Sequence, residues 1–193
     1  MKVSVIGLGY VGTTTAACLA ARGHEVLGVD LNPRKVETVA RGESPVIEDG
    51  LGERLAAALS AGRLSATTSA DRVARDTDVS LVCVGTPSRR NGSLDLDHLR
   101  RAVESVGRSL AGSDRYHVVA VRSTVLPGTT HMEIIPALEA ASGRRAGADF
   151  GVCVNPEFLR EGEAVRDFES PPFTLIGEAD ERAGAVVASL YEG

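Results

Sequence analysis

The sequence predicts an α/β fold: a Rossmann-like, doubly wound, mostly parallel sheet with helices on both faces. Three observations carry that prediction. Short β-branched runs alternate with 10–15-residue helical patterns, which implies βαβ units around a parallel sheet. A glycine-rich turn, Gly7-Leu8-Gly9-Tyr10-Val11-Gly12, joins the first such run to the first helical pattern. No internal repeat, low-complexity tract or linker interrupts the alternation, so residues 1–193 read as one dinucleotide-binding unit.

Taken in order, Lys2–Ile6 is a first strand and 11–22 a helix closed by Gly23, a residue suited to a left-handed cap. Glu25–Val29 is a second strand, and 33–41 a helix with Pro33 in its first turn. Residues 51–61 predict a helix, Leu64–Thr68 a strand and 69–76 a short helix. Val79–Val84 is the clearest strand. Leu96–Leu110 carries Leu96, Leu99, Val103, Val106 and Leu110 at helical spacing. His117–Val121 follows as a strand, then 130–141 as a helix, Phe150–Val154 and Phe173–Ile176 as strands. A closing helix has its stripe at Ala183, Val186, Val187, Leu190 and Tyr191.

Composition narrows the function classes. With 43% hydrophobic and 24% charged residues, the chain has an ordinary globular balance, and at this length it buries roughly 70% of its extended surface without a staple. Its apolar runs are too short to cross a bilayer, and the chain opens directly on a strand pattern, so no signal peptide is expected and the cytoplasm is the expected location. The three cysteines, Cys18, Cys83 and Cys153, are scattered in apolar surroundings, which argues against a disulfide framework or a metal site. The histidines at 24, 98, 117 and 131 are equally scattered and read as structural. A net charge of −5 without a basic block argues against nucleic acid as a partner. A small anion received by backbone amides remains compatible with it.

In doubly wound sheets, ligands bind at the carboxyl ends of the strands, which directs attention to four loops. In the first, Gly7 permits the tight turn, Gly9 lets backbone approach a pyrophosphate, and Gly12 allows close helix packing. Asp30, ending the second strand, can accept hydrogen bonds from ribose hydroxyls. It would repel an NADP 2′-phosphate by about 4 kcal/mol for unit charges 4 Å apart at an effective dielectric of 20. NAD is therefore favoured, with Arg34 and Lys35 as the nearby cations that count against it. Val84-Gly85-Thr86-Pro87 and Ser123-Thr124-Val125-Leu126-Pro127-Gly128-Thr129 each follow a strand and supply hydroxyls. Either one alone is plain turn chemistry; two on one sheet suggest a site. The fourth loop lies in FGVCVNPEFLREGEAV. Local physics reads Asn155 as an N-cap, Pro156 as the first helical residue and Glu157 as a complement to the helix dipole. It leaves open whether Glu157 and Glu161, sharing one helix face, serve a reacting centre.

In this order, GLGYVG, Asp30, VGTPS, RSTVLPGT and NPEFLREG resemble the N-terminal half of the UDP-glucose/GDP-mannose dehydrogenase family. NGSLDLDHL and PPFTLIGE are similar to the members acting on GDP-mannose; UDP-glucose is the alternative substrate. The resemblance implies a four-electron oxidation of a nucleotide-sugar C6 alcohol by two NAD, through a cysteine-bound thioester. It implies Glu157 as general base and Thr124 as holder of the reacting oxygen. Tyr10, Val11, Asp30, Lys35, Thr86 and Thr124 would line the NAD site, and Phe158, Leu159, Arg160 and Glu161 would face the sugar nucleotide. The family's nucleophilic cysteine and catalytic lysine belong to a second half, so the chain is expected to be the cofactor domain of a longer, oligomeric enzyme. Competing expectations are the 6-phosphogluconate and 3-hydroxyacyl-CoA dehydrogenases, against which NPEFLREG counts, and a stand-alone NAD-binding regulatory module.

Overall fold

Seven strands form one sheet in the computed structural model, which describes residues 1–192: β1 (Lys2–Ile6), β2 (Glu25–Val29), β3 (Leu64–Thr67), β4 (Val79–Val82), β5 (Val118–Val121), β6 (Gly151–Val154) and β7 (Gly177–Glu178). Their order is β3-β2-β1-β4-β5-β6-β7, all parallel except β7, which runs antiparallel to β6. From β1 the chain moves outward to β3, then crosses back to lay β4 on the other side of β1. That reversal opens a crevice at the carboxyl ends of β1 and β4, where doubly wound sheets bind ligands.

The helices are α1 (Tyr10–Ala21), α2 (Pro33–Ala40), α3 (Leu51–Ser60), α4 (Val73–Asp76), α5 (Asp97–Ala111), α6 (Ile135–Ser142), α7 (Ala164–Glu169) and α8 (Glu181–Ala188). Because alternate strand residues face opposite sides, Val3, Val5, Leu81 and Ala120 pack under α1, α3, α7 and α8. Ile6, Val82, Val119 and Val121 pack under α4, α5 and α6. Both faces are covered, so the central strands are apolar almost throughout. The stripe predicted for α5 is buried at Leu99, Val103, Val106 and Leu110.

The structure corrects several predicted elements. Residues 155–161 are not a helix, and the next helix, α7, begins only at Ala164. Asn155 points inward instead of capping: its side chain accepts from Arg122 and Tyr191 and donates to the Leu175 carbonyl at 3.0 Å. Phe173–Ile176 is not a strand; pairing begins at Gly177. Pro171 and Pro172 carry no amide proton for a ladder, and Asn155 takes the Leu175 carbonyl. Helix α8 ends before Leu190 and Tyr191. The 130–141 helix opens as a π-helical turn, Thr130–Ile134. Pro136 lacks the amide that would bond the Met132 carbonyl, and its ring crowds that oxygen, so the turn widens.

One polar chain interrupts the sheet core. Ser4 and Ser80 are register partners with their hydroxyls 2.7 Å apart. Ser80 bonds His117 Nε2 at 2.8 Å, and His117 Nδ1 lies 3.1 Å from the Thr77 carbonyl. A carbonyl only accepts, so Nδ1 carries the proton and Nε2 accepts from Ser80. His117 is fully buried, and burial lowers its pKa from 6.5 to about 4, against the opposing bond to Thr77. Between those values only the unfolded chain takes up the proton, so stability is lost as pH falls from 6.5 toward 4. The full span corresponds to about 3 kcal/mol. Urea unfolding at pH 7 and pH 4.5 is expected to show this drop in the native chain and a smaller drop in His117→Gln. Equal pH dependence of the two would show that His117 does not carry it.

Candidate functional site

The first loop is held by sterics and by one carboxylate. Gly7 has φ +98°, a left-handed conformation that a side chain resists, and a Cβ on Gly12 would lie 1.8 Å from the Gly7 carbonyl oxygen. Helix α1 therefore starts directly against the loop it leaves. Gly9, its N-cap, contributes no side-chain cap, so the first amides keep no intrahelical partner and face outward with the positive dipole end. A Cβ on Gly9 would meet nothing within 4 Å, which leaves open space in front of those amides. Asp30 takes the Leu8 amide at 2.7 Å and the Asn32 amide at 2.8 Å, one on each oxygen, and Lys35 Nζ lies 3.6 Å away. The carboxylate braces the loop while keeping lone pairs for ribose hydroxyls. Amides, open space and carboxylate together fit NAD.

From that loop a cleft of about 240 Å³ extends across the carboxyl ends of β4, β5 and β6. Gly9, Tyr10, Val11, Thr86, Thr124 and Glu157, all predicted site residues, line it together. Thr86 donates to the Thr124 carbonyl at 2.7 Å and Ser123 to the Val84 carbonyl at 2.6 Å, which ties the second loop to the third. Glu157 accepts from the Leu159 amide at 2.6 Å, fixing the turn that carries it. Gly7 and Gly12 stay behind the wall as packing positions, and Asp30 and Lys35 stand at the β2 end, outside this cleft.

A second cavity, of about 230 Å³, adjoins it through a wall made by Arg122 and Glu157. Phe158, Leu159 and Arg160 line this one, while Glu161 lines neither. Phe158 meets Phe173 edge to face at 5.0 Å, with both rings about half exposed. The Arg160 guanidinium is committed to Asp167 at 2.7 Å and to Glu163 rather than held free for a ligand. Asp167 holds its pKa above the ordinary value.

Sequence reasoning missed four contributors. Arg122, the residue opening RSTVLPGT, is buried between the cavities and bonds Asn155 Oδ1 at 2.8 Å, the Tyr191 hydroxyl at 3.0 Å and Thr15 at 3.2 Å. A charge placed directly after the apolar run VVAV was the available signal. Asn155 and Tyr191 gave none, because their partners are distant in sequence. Glu48 is the fourth. Its carboxylate accepts from the Tyr10 hydroxyl and from the Gly162 amide at 2.9 Å, so a carboxylate from the 41–50 loop ties the glycine loop to the NPEFLREG segment. Burial and the Glu48 bond push the Tyr10 hydroxyl up to about 12, which keeps it a neutral donor.

The three cysteines are held as neutral thiols, Cys83 among the residues lining the cleft. All are buried, and burial pushes Cys18 up to about 11 and Cys83 and Cys153 to about 12. At Cys83, Arg122 pulls the other way and Glu157 adds to the rise, so both wall charges are felt there.

The model of the UDP-glucose/GDP-mannose dehydrogenase family, NAD binding domain, matches residues 1–193. The chain belongs to this family. A GDP-mannose 6-dehydrogenase of Azotobacter vinelandii is 50% identical over 191 residues, covering 99% of this chain and 44% of that protein. A GDP-mannose dehydrogenase of Pseudomonas aeruginosa, crystallised as a ternary complex, superimposes with a TM-score of 0.97 at 47% identity, over 99% of this chain and 44% of that one. A UDP-glucose dehydrogenase of Pyrobaculum islandicum gives 0.93 at 44% identity, over 98% and 43%. The chain thus spans less than half the length of these family members. No helix among the described residues is long and apolar enough to cross a membrane.

Two glycine substitutions separate the loop's roles. Gly12→Ala is expected to cost about 3 kcal/mol or more in denaturant unfolding, because its Cβ meets rigid backbone. Gly9→Ala is expected to unfold like the native chain and to bind NAD more weakly by at least about tenfold. Undiminished binding by Gly9→Ala would show that the pyrophosphate does not occupy the space in front of it.

Proposed function

We propose that the chain is the NAD-binding portion of a nucleotide-sugar 6-dehydrogenase that oxidises the C6 alcohol of GDP-mannose to the uronate. The observation that carries this reading is the convergence of four strand-end loops on one cleft, with Glu157 on the wall shared with the second cavity. GDP-mannose is favoured because relatives named for it reach the higher identity. UDP-glucose is the second reading, supported by relatives at 44%.

NAD, when bound, supplies the hydride acceptor. The α1 amides and the space at Gly9 would receive its pyrophosphate, and Asp30 its ribose hydroxyls. Thr124, at the end of β5, would hold the reacting oxygen, and Glu157 would take the proton from the alcohol or from an attacking water. Phe158, Leu159 and the stem of Arg160 would form the sugar-nucleotide wall, with Glu161 at its rim. A nucleophilic cysteine would then come from outside residues 1–193, a reading supported by the burial of the three present and by the raised pKa of each. On this reading the substrate domain, the remaining catalytic groups and the partner contacts of an oligomer would belong to the rest of a longer enzyme.

Calorimetric titration tests the assignment. The chain is expected to bind NAD at least about tenfold more tightly than NADP, because Asp30 opposes a 2′-phosphate and Lys35 already leans on Asp30. It is expected to produce no steady NADH with GDP-mannose. Preference for NADP would sink the Asp30 argument, and turnover by the isolated chain would sink the division of labour. NAD binding by a full-length protein that oxidises no nucleotide sugar would favour a regulatory module.

A further inference from the structure

Arg122 is 5% exposed, and among the described residues no carboxylate lies within ion-pair distance of it. Its partners are all neutral: Thr15 on Nε, Asn155 and Tyr191 on Nη1, and the Phe168 ring 5.7 Å from the guanidinium carbon. Nη2 has no hydrogen-bond partner among the described residues, and it is not sealed from solvent. An enclosed charge without a counter-charge is costly, and this one lines the cleft that leads away from the glycine loop. Direction follows from the strand order. Asp30 marks the ribose end at β2, the amides after β1 mark the pyrophosphate, and the nicotinamide end must then point toward β4 and β5, where Arg122 stands.

We propose that the charge of Arg122, which forms no ion pair among the described residues, biases this cleft toward the reduced nicotinamide. The inference rests on the NAD reading above. The oxidised ring carries a positive charge and the reduced ring carries none, so Arg122 opposes only the oxidised form. Glu157, on the same wall, acts in the opposite sense. The ratio of the dissociation constants for oxidised and reduced dinucleotide sets the potential of the bound couple. Each tenfold preference for the reduced form raises that potential by about 30 mV. Arg122 would thereby make the bound dinucleotide a stronger hydride acceptor for an alcohol, a poor hydride donor.

The test is the ratio Kd(NAD+)/Kd(NADH), measured on the 193-residue chain by calorimetry and NADH fluorescence. Arg122→Gln removes the charge and keeps a donor toward Asn155. Asn155→Asp leaves the arginine in place and gives it a counter-charge of the same shape. Both are expected to lower the ratio by on the order of tenfold, while Arg122→Lys keeps it near the native value and Glu157→Gln raises it. A purely structural role would weaken both nucleotides by the same factor, so an unmoved ratio in Asn155→Asp or in a folded Arg122→Gln overturns the inference alone. Failure of the native chain to bind either nucleotide overturns the NAD reading and this inference together.

Discussion

Helix α1 lies so close to the Gly7 carbonyl that position 12 has no room for even one carbon, and the site depends on that contact. It lets the helix begin at Tyr10, directly above β1, with its unpaired amides facing the crevice between β1 and β4. A longer connection would move the amides off the strand-order reversal, the place where neighbouring loops diverge enough to admit a ligand. Asp30 completes the arrangement from the next strand by holding the Leu8 amide. The residue that would recognise the ribose also supports the turn that would receive the pyrophosphate.

The charges along the crevice have an order. A carboxylate stands at the β2 end, helix amides at β1, and a guanidinium at β5 on the wall that Glu157 also lines. The two ends are held differently. Asp30 is fixed by backbone amides and a lysine near the surface, whereas Arg122 is fixed inside by an amide, two hydroxyls and an aromatic ring. Low local polarity strengthens the field of a charge enclosed in this way. The same bonds orient Asn155, and through Asn155-Pro156 they set the direction of the turn carrying Glu157.

Legibility varied with the range of the interactions involved. The strands β1, β2 and β6, the helix α5 and the glycine loop follow from patterns within a dozen residues, and the sequence reading places them to within a residue or two. The NPEFLREG segment shows where that reading stops. By local rules Asn155 caps a helix and two glutamates share its face. In the structure Asn155 is drawn inward by Arg122, Tyr191 and Leu175, the segment forms no helix before Ala164, and Glu157 and Glu161 separate, one on the shared wall and the other outside both cavities. Phe173–Ile176 failed as a strand because a distant side chain took a carbonyl that the ladder would have used.

The sequence by itself determined the fold class, the glycine loop, the strand-ending Asp30 and the family, because these rest on short spacings and on motifs read in order. Only the tertiary structure decided which loops share a cleft, that Arg122 and Glu157 form the wall between two cavities, and that Glu48 ties the glycine loop to NPEFLREG. The physical reason is distance along the chain. A buried arginine chooses partners from α1, from the end of β6 and from residue 191, and only the closing of the sheet brings those three together.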